Sequence, residues 1–164
     1  MEIECKIVET LKTRLKDSLI EAKIPRERRI FVNVKKESLA DAVGHLVTDL
    51  KFKHLSTITG VDLDEEIEVI YHMAYKDSIE LSLKLSVSKD EPTIPTITDL
   101  IPGAVLYERE INDLLGVNFT GHPDLSPLML PEEWPHGIHP LRKEYKVEQL
   151  KAIAHDRNTT EDRD

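Results

Sequence analysis

The sequence predicts an α+β fold, in which helices pack on one face of a small mixed sheet and a long extended C-terminal arm follows. Three observations predict it: two consecutive stretches of clear apolar alternation, three stretches with helical apolar spacing, and a proline-rich segment with neither period. With 164 residues, the chain is long enough for one domain and an extension. We predict a domain over residues 1–116, an arm over 117–147 and a polar tail over 148–164.

The first elements are predicted to be a helix, a strand and a second helix. Apolar residues recur every three to four positions over residues 7–19, and Pro25 ends the helix that this spacing predicts. Residues 28–34 are apolar and β-branched, which favours a short strand. Ser38 is the predicted N-cap of the second helix, with Asp41 in the capping-box position. The apolar face of that helix comprises Leu39, Val43, Leu46, Val47 and Leu50.

A β-hairpin is the clearest local prediction. Residues 54–61 are rich in threonine and isoleucine and favour a strand that ends at Gly60. Two alternating stretches follow at residues 67–75 and 79–87, separated by Lys76-Asp77. Because alternate side chains of a strand point to opposite faces, this pair predicts a hairpin with one buried face.

One more helix is predicted after a proline-interrupted segment. Pro92, Pro95 and Pro102 break regular structure, and helical spacing returns at residues 104–115. Gly116 is suited to end this helix, because glycine readily takes the left-handed conformation found at helix C-termini. The predicted order is therefore α-β-α-β-β-β-α.

The arm, residues 117–147, has five prolines and neither a helical nor a strand period. A structureless segment of this length is uncommon inside a domain. It is not a simple spacer, because it keeps large apolar side chains whose burial stabilises by roughly 1.5 to 3 kcal/mol each. We expect them to occupy a groove, either on the protein's own body or on a partner: Phe119, Leu125, Leu128, Met129, Leu130, Trp134, Ile138 and Leu141.

Composition argues against several classes of function. Residues 54–133 carry 16 acidic and 4 basic side chains, a net charge of −12, which argues against nucleic-acid binding. The single cysteine, Cys5, cannot form an internal disulfide or a cysteine-ligated cluster. The apolar runs are far shorter than the roughly 20 residues that span a bilayer, and we see no signal-peptide pattern. We therefore expect a cytoplasmic protein that reaches a membrane only through partners.

Few residues are arranged for catalysis or ligand binding. Glycine-rich phosphate-binding motifs are absent, and His122, His136 and His139 are the best metal-site candidates. They lack an evident supporting carboxylate, so we expect the imidazoles to bind backbone groups instead. A free-standing small metallohydrolase that uses these histidines is an alternative. Arg109 and Asp113, four residues apart on the last helix, are interpreted as a surface or interface ion pair.

Several motifs in the last third of the chain resemble a known family. They are Glu108-Arg109-Glu110, Asp113-Leu114-Leu115-Gly116, Phe119, Gly121-His122-Pro123-Asp124-Leu125, Glu133-Trp134 and His139-Pro140-Leu141-Arg142-Lys143-Glu144-Tyr145. Together they resemble the signature of the 30-kDa subunit of respiratory complex I, which is the C subunit of the bacterial enzyme. That family includes the equivalent subunits of membrane-bound nickel–iron hydrogenases, formate hydrogenlyases and sulfane-reducing complexes.

Two departures from the complex I pattern favour a hydrogenase-like or related energy-converting complex. Ser126-Pro127 stands where complex I members usually carry basic residues, and residues 133–138 make a longer link to the His-Pro-Leu-Arg-Lys element. The alternative is the C subunit of a complex I type NADH or quinone dehydrogenase. A generic adaptor unrelated to redox complexes is a third hypothesis.

The resemblance implies a non-catalytic scaffold subunit on the cytoplasm-facing, peripheral part of a membrane-bound, ion-translocating oxidoreductase. It implies that this chain carries no cofactor, whereas iron–sulfur clusters, and in hydrogenases a nickel–iron site, belong to partner subunits. The implied partners are a hydrogenase-like large subunit of the 49-kDa type, the adjoining iron–sulfur subunit and the membrane-embedded subunits.

The resemblance also implies that the arm lies across the large subunit. The implied role of its residues is contact with that partner, not catalysis or metal binding. Trp134 is interpreted as an aromatic anchor of this interface. The residues assigned to the interface are Glu108, Arg109, Glu110, Asp113, Phe119, His122, Asp124, Trp134, His139, Leu141, Arg142, Lys143 and Tyr145.

Overall fold

The fold is α+β, as predicted, and over the described residues it comprises a mixed five-stranded sheet, a two-stranded sheet and four α-helices. The computed structural model describes residues 1–76 and 78–161, with side chains through residue 154. In chain order the elements are α1 (Glu2–Leu15), β1 (Leu19–Arg26), β2 (Arg29–Val34), α2 (Leu39–Thr48), β3 (His54–Asp62), β4 (Glu66–Tyr75), β5 (Ile79–Ser88), β6 (Thr93–Pro95), α3 (Ala104–Leu115), β7 (Asn118–Thr120) and α4 (Val147–Glu161).

The large sheet has the strand order β1-β2-β5-β4-β3. Strands β2 and β5 are parallel, and the other neighbouring pairs are antiparallel. The predicted hairpin is confirmed as β4 and β5, with Tyr75 opposite Ile79. Of its two predicted turn residues, Lys76 has a φ of 45°, and Asp77 lies outside the described residues.

One face of the large sheet carries the hydrophobic core. Along β4, alternate side chains from Ile67 to Met73 are fully buried, whereas those between them are half-exposed. Apolar side chains of α1, α2 and α3 belong to the same buried cluster. Helix α3 lies so close to β3 that a Cβ on Gly60 would be 2.2 Å from Leu115 Cδ1. Glycine in β3 therefore permits the close approach that positions α3.

The sequence prediction is wrong after the first helix. Helix α1 ends at Leu15, where Lys16 takes a φ of 46°, and residues 19–26 form strand β1 instead of continuing the helix. Strand β1 pairs antiparallel with β2 at the edge of the sheet. Pro25 is tolerated there because an edge strand leaves one row of backbone groups without a ladder partner. Leu19 fits the helical spacing as well as it fits a strand, so periodicity misassigned it.

The second helix is confirmed, but its predicted capping box is wrong. Helix α2 begins at Leu39 after Ser38, whose Oγ donates to Lys35 O at 2.8 Å and not to the helix. Asp41 accepts a hydrogen bond from Arg14 Nη2 at 2.7 Å. Because Arg14 lies on α1, this ion pair links the two helices.

The proline-interrupted segment contains a strand that the sequence prediction missed. Strand β6 pairs in parallel with β7. Strand β7 lies at residues assigned to the arm, and its Phe119 is 1% exposed within the core. Strands of three residues are too short to show an apolar period. The first residues of the arm therefore pack as part of the body.

The segment predicted to be a polar tail, residues 148–164, is helical where the structure describes it. Helix α4 spans Val147–Glu161, and residues 162–164 lie outside the described residues. The Lys146 amide donates to Gln149 Oε1 at 2.8 Å, at the start of this helix. In the described part of the chain, none of the helices combines the length and the hydrophobicity needed to cross a membrane.

Candidate functional site of helix α3 and the arm

Helix α3 ends where the sequence predicts, at Gly116. This residue has a φ of 75°, a conformation that glycine adopts at little cost. Its amide donates to Asn112 O at 2.8 Å, and Asn112 Nδ2 donates to Val117 O at 2.9 Å. These bonds close the last turn and direct the chain into β7.

The arm returns to the C-terminus of α3 and binds the last carbonyl oxygens of the helix. The carbonyl oxygens of residues 113–115 each accept one hydrogen bond from the arm: from His139 Nδ1 at 2.9 Å, from the Leu141 amide at 3.0 Å and from Arg142 Nε at 2.8 Å. Carbonyl groups at this end of a helix have no partner within the helix itself. The His-Pro-Leu-Arg-Lys element is therefore a C-terminal cap that the same chain supplies.

Gly116 also provides the space for this cap. A Cβ at position 116 would lie 2.4 Å from the His139 ring and 2.8 Å from Arg142 Nη2. Carbon atoms in van der Waals contact lie about 3.5 to 4.0 Å apart, so a side chain here would displace the cap. Glycine is thus required at this position for its backbone conformation and for space.

Asp113 organises the middle of the arm. Its side chain is nearly buried, at 7% exposure, and Oδ2 accepts hydrogen bonds from three consecutive amides: Leu128 at 2.7 Å, Met129 at 2.8 Å and Leu130 at 3.3 Å. Backbone amides without a partner are costly to bury. One carboxylate therefore fixes the path of a segment that has no helix or strand of its own.

Arg109 and Asp124 hold the preceding part of the arm. The Arg109 guanidinium donates to Ser126 O at 2.9 Å, Ser126 Oγ at 2.9 Å and Pro127 O at 2.8 Å. Asp124 accepts from the Ser126 amide at 2.9 Å and from Ser126 Oγ at 3.0 Å, and these bonds lower the pKa of Asp124. The predicted ion pair between Arg109 and Asp113 is wrong, since each side chain binds the arm instead.

Glu108 lies on the opposite, inward side of α3. It is 0% exposed and accepts hydrogen bonds from Thr96 Oγ1 at 2.5 Å and from the Ile97 amide at 2.9 Å. Burial disfavours the carboxylate and raises the pKa of Glu108, although both hydrogen bonds oppose this shift. This carboxyl group ties α3 to the segment that follows β6 and is withdrawn from the surface.

The arm ends on a buried carboxylate that sequence reasoning missed. Asp62, at the end of β3, is 5% exposed and accepts hydrogen bonds from the Lys143 amide at 2.9 Å, the Lys89 Nζ at 2.8 Å and the Asp64 amide at 2.8 Å. Burial opposes its ionisation, but the Lys89 ammonium and the two amides outweigh burial and lower the pKa of Asp62 to about 2. The Asp64 amide is close in sequence, but Lys89 and Lys143 lie far from Asp62 along the chain, so no local motif signals this site.

Asp62→Asn should change the pH dependence of stability. The pKa of Asp62 is about 2 in the folded chain, below its ordinary value of 3.8. Its stabilising effect is therefore present above pH 3.8 and is lost as the pH falls toward 2. In denaturant unfolding, wild type should be more stable than the variant at neutral pH, and the difference should shrink within that window. A difference that does not change with pH would contradict the assignment.

A groove of about 230 Å³ lies between α3 and the arm. Trp134 is half-buried beside it, and its Nε1 donates to Ile138 O at 2.8 Å. Tyr145 OH donates to Gly137 O at 3.1 Å and closes the same turn. The apolar side chains that line the groove are Leu125, Pro127, Leu130, Pro131, Trp134, Pro135 and Ile138.

Two of the three candidate metal ligands bind backbone groups, as expected from the sequence. The side chain of His122 is fully buried; its Nε2 donates to Val105 O at 3.1 Å, and its Nδ1 accepts from the Asp124 amide at 3.0 Å. This pair of bonds requires a neutral imidazole. His139 caps α3, and His136 lines the groove. Over the described residues, no three His, Cys, Asp or Glu side chains are grouped to hold a metal ion.

Comparison with known sequences decides the family. The profile described as "Respiratory-chain NADH dehydrogenase, 30 Kd subunit" matches residues 32–151. The chain belongs to this family. The matched residues include β3 to β7, α3 and the whole arm, and so they contain every part of the site described above. The resemblance inferred from the sequence motifs is confirmed.

Relatives of this 30-kDa subunit family member occur in several respiratory complexes. The C subunit of F(420)H(2) dehydrogenase from Methanosarcina mazei is 36% identical over 143 aligned positions, and the match covers 85% of this chain and 90% of that protein. The C subunit of NADH-quinone oxidoreductase from Roseiflexus castenholzii is 37% identical over 121 residues, 70% of this chain and 68% of that protein. A chain of the membrane-bound sulfane sulfur reductase, an archaeal respiratory membrane complex, matches with a TM-score of 0.80 at 25% identity, covering 92% of this chain and 90% of that chain.

The predicted interface residues of this family member fall into three groups. In the first group, Glu108 and Phe119 are buried in the body of the isolated chain. The second group holds the arm in place. Six of its members bond the arm to the body: Arg109, Asp113, His122, His139, Arg142 and Lys143. The other two, Asp124 and Tyr145, bond backbone groups within the arm. Glu110, Trp134 and Leu141 are at least partly exposed. Contact with a partner stays a prediction for all three groups.

Proposed function

We propose that this chain is a non-catalytic scaffold subunit on the cytoplasm-facing, peripheral part of a membrane-bound, ion-translocating respiratory oxidoreductase. Membership of the 30-kDa subunit family supports this proposal, as do relatives that are named as subunits of dehydrogenase complexes. The similarity to a chain of a respiratory membrane complex supports it further. In this proposal the chain reaches the membrane only through partner subunits.

The proposal rests on the hydrogen-bond partners of the polar side chains at the site. Asp113, His139, Arg142 and Arg109 all bind backbone groups of this same chain. Side chains held in this way fix the shape of the arm and are not poised to activate a substrate. The arm also exposes large apolar side chains: Leu128 at 39%, Met129 at 57% and Leu141 at 58%. A shaped segment with exposed apolar side chains is suited to bind protein.

We propose that the arm, residues 117–147, docks on the hydrogenase-like large subunit of the complex. The body, residues 1–116, would then set the position of the arm relative to the adjoining iron–sulfur subunit. The redox centres, iron–sulfur clusters and in hydrogenases a nickel–iron site, belong to those partners, and this chain contributes no cofactor. The membrane-embedded subunits complete the assembly. The contribution of this chain is to keep the redox subunits in register.

Two kinds of complex are candidates. A hydrogenase-like or related energy-converting complex is favoured by Ser126-Pro127, which stands where complex I members usually carry basic residues and which here receives the Arg109 guanidinium. A complex I type NADH or quinone dehydrogenase is favoured by the relative from Roseiflexus castenholzii. The scaffold role proposed here is common to both.

Replacing Met129 and Leu141 together by alanine should weaken assembly of the complex. Both side chains are more than half exposed in the isolated chain, so their loss should leave its thermal unfolding nearly unchanged. Interface anchors contribute about 2 kcal/mol or more each. Since the loss of even one such anchor weakens binding by about 30-fold, we expect the tagged double variant to retain at least about 30-fold less of the co-expressed partner subunits than wild type after a stringent wash.

The matched control is the double replacement of Ile3 and Ile20 by alanine. These side chains are 55% and 59% exposed, so the control removes a similar apolar area from a different part of the chain. It should retain the partner subunits at the wild-type level. Undiminished assembly of the Met129 and Leu141 double variant would count against the scaffold proposal.

A further inference from the structure

Helix α3 turns a partly apolar stripe toward solvent. Leu106, Glu110 and Leu114 are spaced four residues apart and therefore lie along one side of the helix. Leu106 is 56% exposed, and Glu110 and Leu114 are half-exposed. The opposite side of α3, with Ile111 and Leu115, is buried against the sheet. The body of the chain thus leaves Leu106 exposed and Glu110 and Leu114 partly exposed on the same stripe.

Glu110 differs from the other charged residues predicted for the interface. Within the described residues, its carboxylate has no hydrogen bond or ion pair, whereas Arg109 and Asp113 on the same helix are bonded to the arm. The positions four residues before and after Glu110, where a basic side chain would pair with it, hold leucine. The stripe therefore presents one uncompensated negative charge between two apolar side chains.

Leu141 extends this stripe beyond the end of the helix. Its amide is bonded to Leu114 O at 3.0 Å, which places residue 141 beside the last turn of α3, and its side chain is 58% exposed. We call Leu106, Glu110, Leu114 and Leu141 the α3 surface. Because the cap holds Leu141 in place, the α3 surface combines the helix with the arm that the scaffold proposal assigns to partner binding.

We infer that the α3 surface docks on a segment of a partner subunit that presents an arginine or lysine flanked by apolar side chains. A basic side chain matches the uncompensated Glu110, and its apolar stem can cover the adjacent leucines. Residues 54–133 carry 16 acidic and 4 basic side chains, and this negative net charge also favours a basic partner. This inference rests on the proposed function, because it takes the partner to be another subunit of the complex.

A photo-crosslinking residue in place of Leu106 identifies the segment that covers the α3 surface. In the intact complex, the cross-linked peptide should come from another subunit and should contain an arginine or lysine within about four residues of the cross-link, one helical turn. A cross-link to a second copy of this chain, to an acidic segment, or to no subunit of an assembled complex would overturn the inference.

Charge reversal at Glu110 tests the predicted chemistry. Glu110→Lys should reduce retention of the partner subunits by about 30-fold or more, since like charges would then meet in a desolvated contact. Glu110→Gln should reduce it less, and Glu91→Lys, the same charge change on an exposed loop, should have no effect. Replacing the partner's arginine or lysine that lies near the cross-link by glutamate should restore assembly of the Glu110→Lys variant.

The two proposals fail in different ways. If wild type retains no subunits of a respiratory complex, the scaffold function itself is wrong. If wild type assembles and Glu110→Lys assembles equally well, only the role of the α3 surface is wrong. Unchanged thermal unfolding of Glu110→Lys would show that lost assembly reflects the contact and not the fold, which is expected because the Glu110 carboxylate bonds no other described residue.

Discussion

Replacing Gly116 by alanine is expected to detach residues 139–142 of the arm from the end of helix α3. The backbone φ of 75° costs a residue with a side chain about 1 to 2 kcal/mol. The added methyl group would also lie 2.4 Å from the His139 ring and 2.8 Å from the Arg142 guanidinium. Both groups must move, and their hydrogen bonds to the helix carbonyls are then lost. The cap and the helix end cannot both keep their present positions.

Hydrogen exchange measures this change directly. The Leu141 amide is bonded to Leu114 O in wild type. Its protection should fall about tenfold for each 1.4 kcal/mol by which the cap is destabilised. Gly44→Ala is the matched control: Gly44 lies in helix α2 with open space around it, so alanine should be neutral or slightly stabilising. Undiminished protection of Leu141 in Gly116→Ala would show that the cap does not depend on this glycine.

The elements that could be predicted from the sequence are those with a long apolar period. The hairpin strands β4 and β5 are ten residues long, and buried apolar side chains recur at every second position along most of each strand. Helix α3 shows helical spacing up to a glycine that can end it. Strands β6 and β7 have three residues each and pair in parallel across intervening α3, so their pairing depends on tertiary contacts. Strand β1 was misassigned because its few apolar positions also suit a helix.

The site shows a different limit. The motif residues of the arm could be found from the sequence, but the partners of their polar groups could not. His139 and Arg142 bind helix carbonyls about 26 residues away in the chain, and Lys143 reaches Asp62 across 81 positions. Sequence spacing suggested that Arg109 and Asp113 pair with each other. Both instead bind backbone groups of the arm, because that segment has many polar groups and no regular structure to satisfy them.

These contacts change what binding to a partner requires. A mobile arm must be ordered when it docks, and that ordering costs roughly 1 to 2 kcal/mol of backbone entropy for each residue fixed. In this structure the arm is already held on the body through Asp113, Arg109, Asp62 and the cap on α3. The apolar side chains that remain exposed can then contribute to affinity without first meeting that cost.

Removing the carboxylate of Asp113 is the sharpest test of a preordered arm. In Asp113→Ala, the amides of Leu128, Met129 and Leu130 lose their common acceptor. A buried donor without a partner costs about 1 to 3 kcal/mol, so we expect this segment to leave its position and exchange with solvent. The loss of structure should be local to the arm. Asp113 binds the arm, and Leu128, Met129 and Leu130 are not part of the hydrophobic core beneath α3.

Hydrogen exchange at residues 128–130 and turnover per assembled complex together decide the outcome. Protection of the three amides should fall by about tenfold or more in Asp113→Ala, while Asp90→Ala, at an exposed loop position, should leave it unchanged.

Assembly of the Asp113→Ala variant with its partners should weaken, because the arm must then be ordered when it docks. In the complexes that still form, turnover should be close to wild type, because within the described part of the chain the Asp113 side chain bonds only to backbone groups. A fall in turnover of about a hundredfold in fully assembled complex, the scale of a lost general acid or base, would instead mean that this carboxylate takes part in proton transfer.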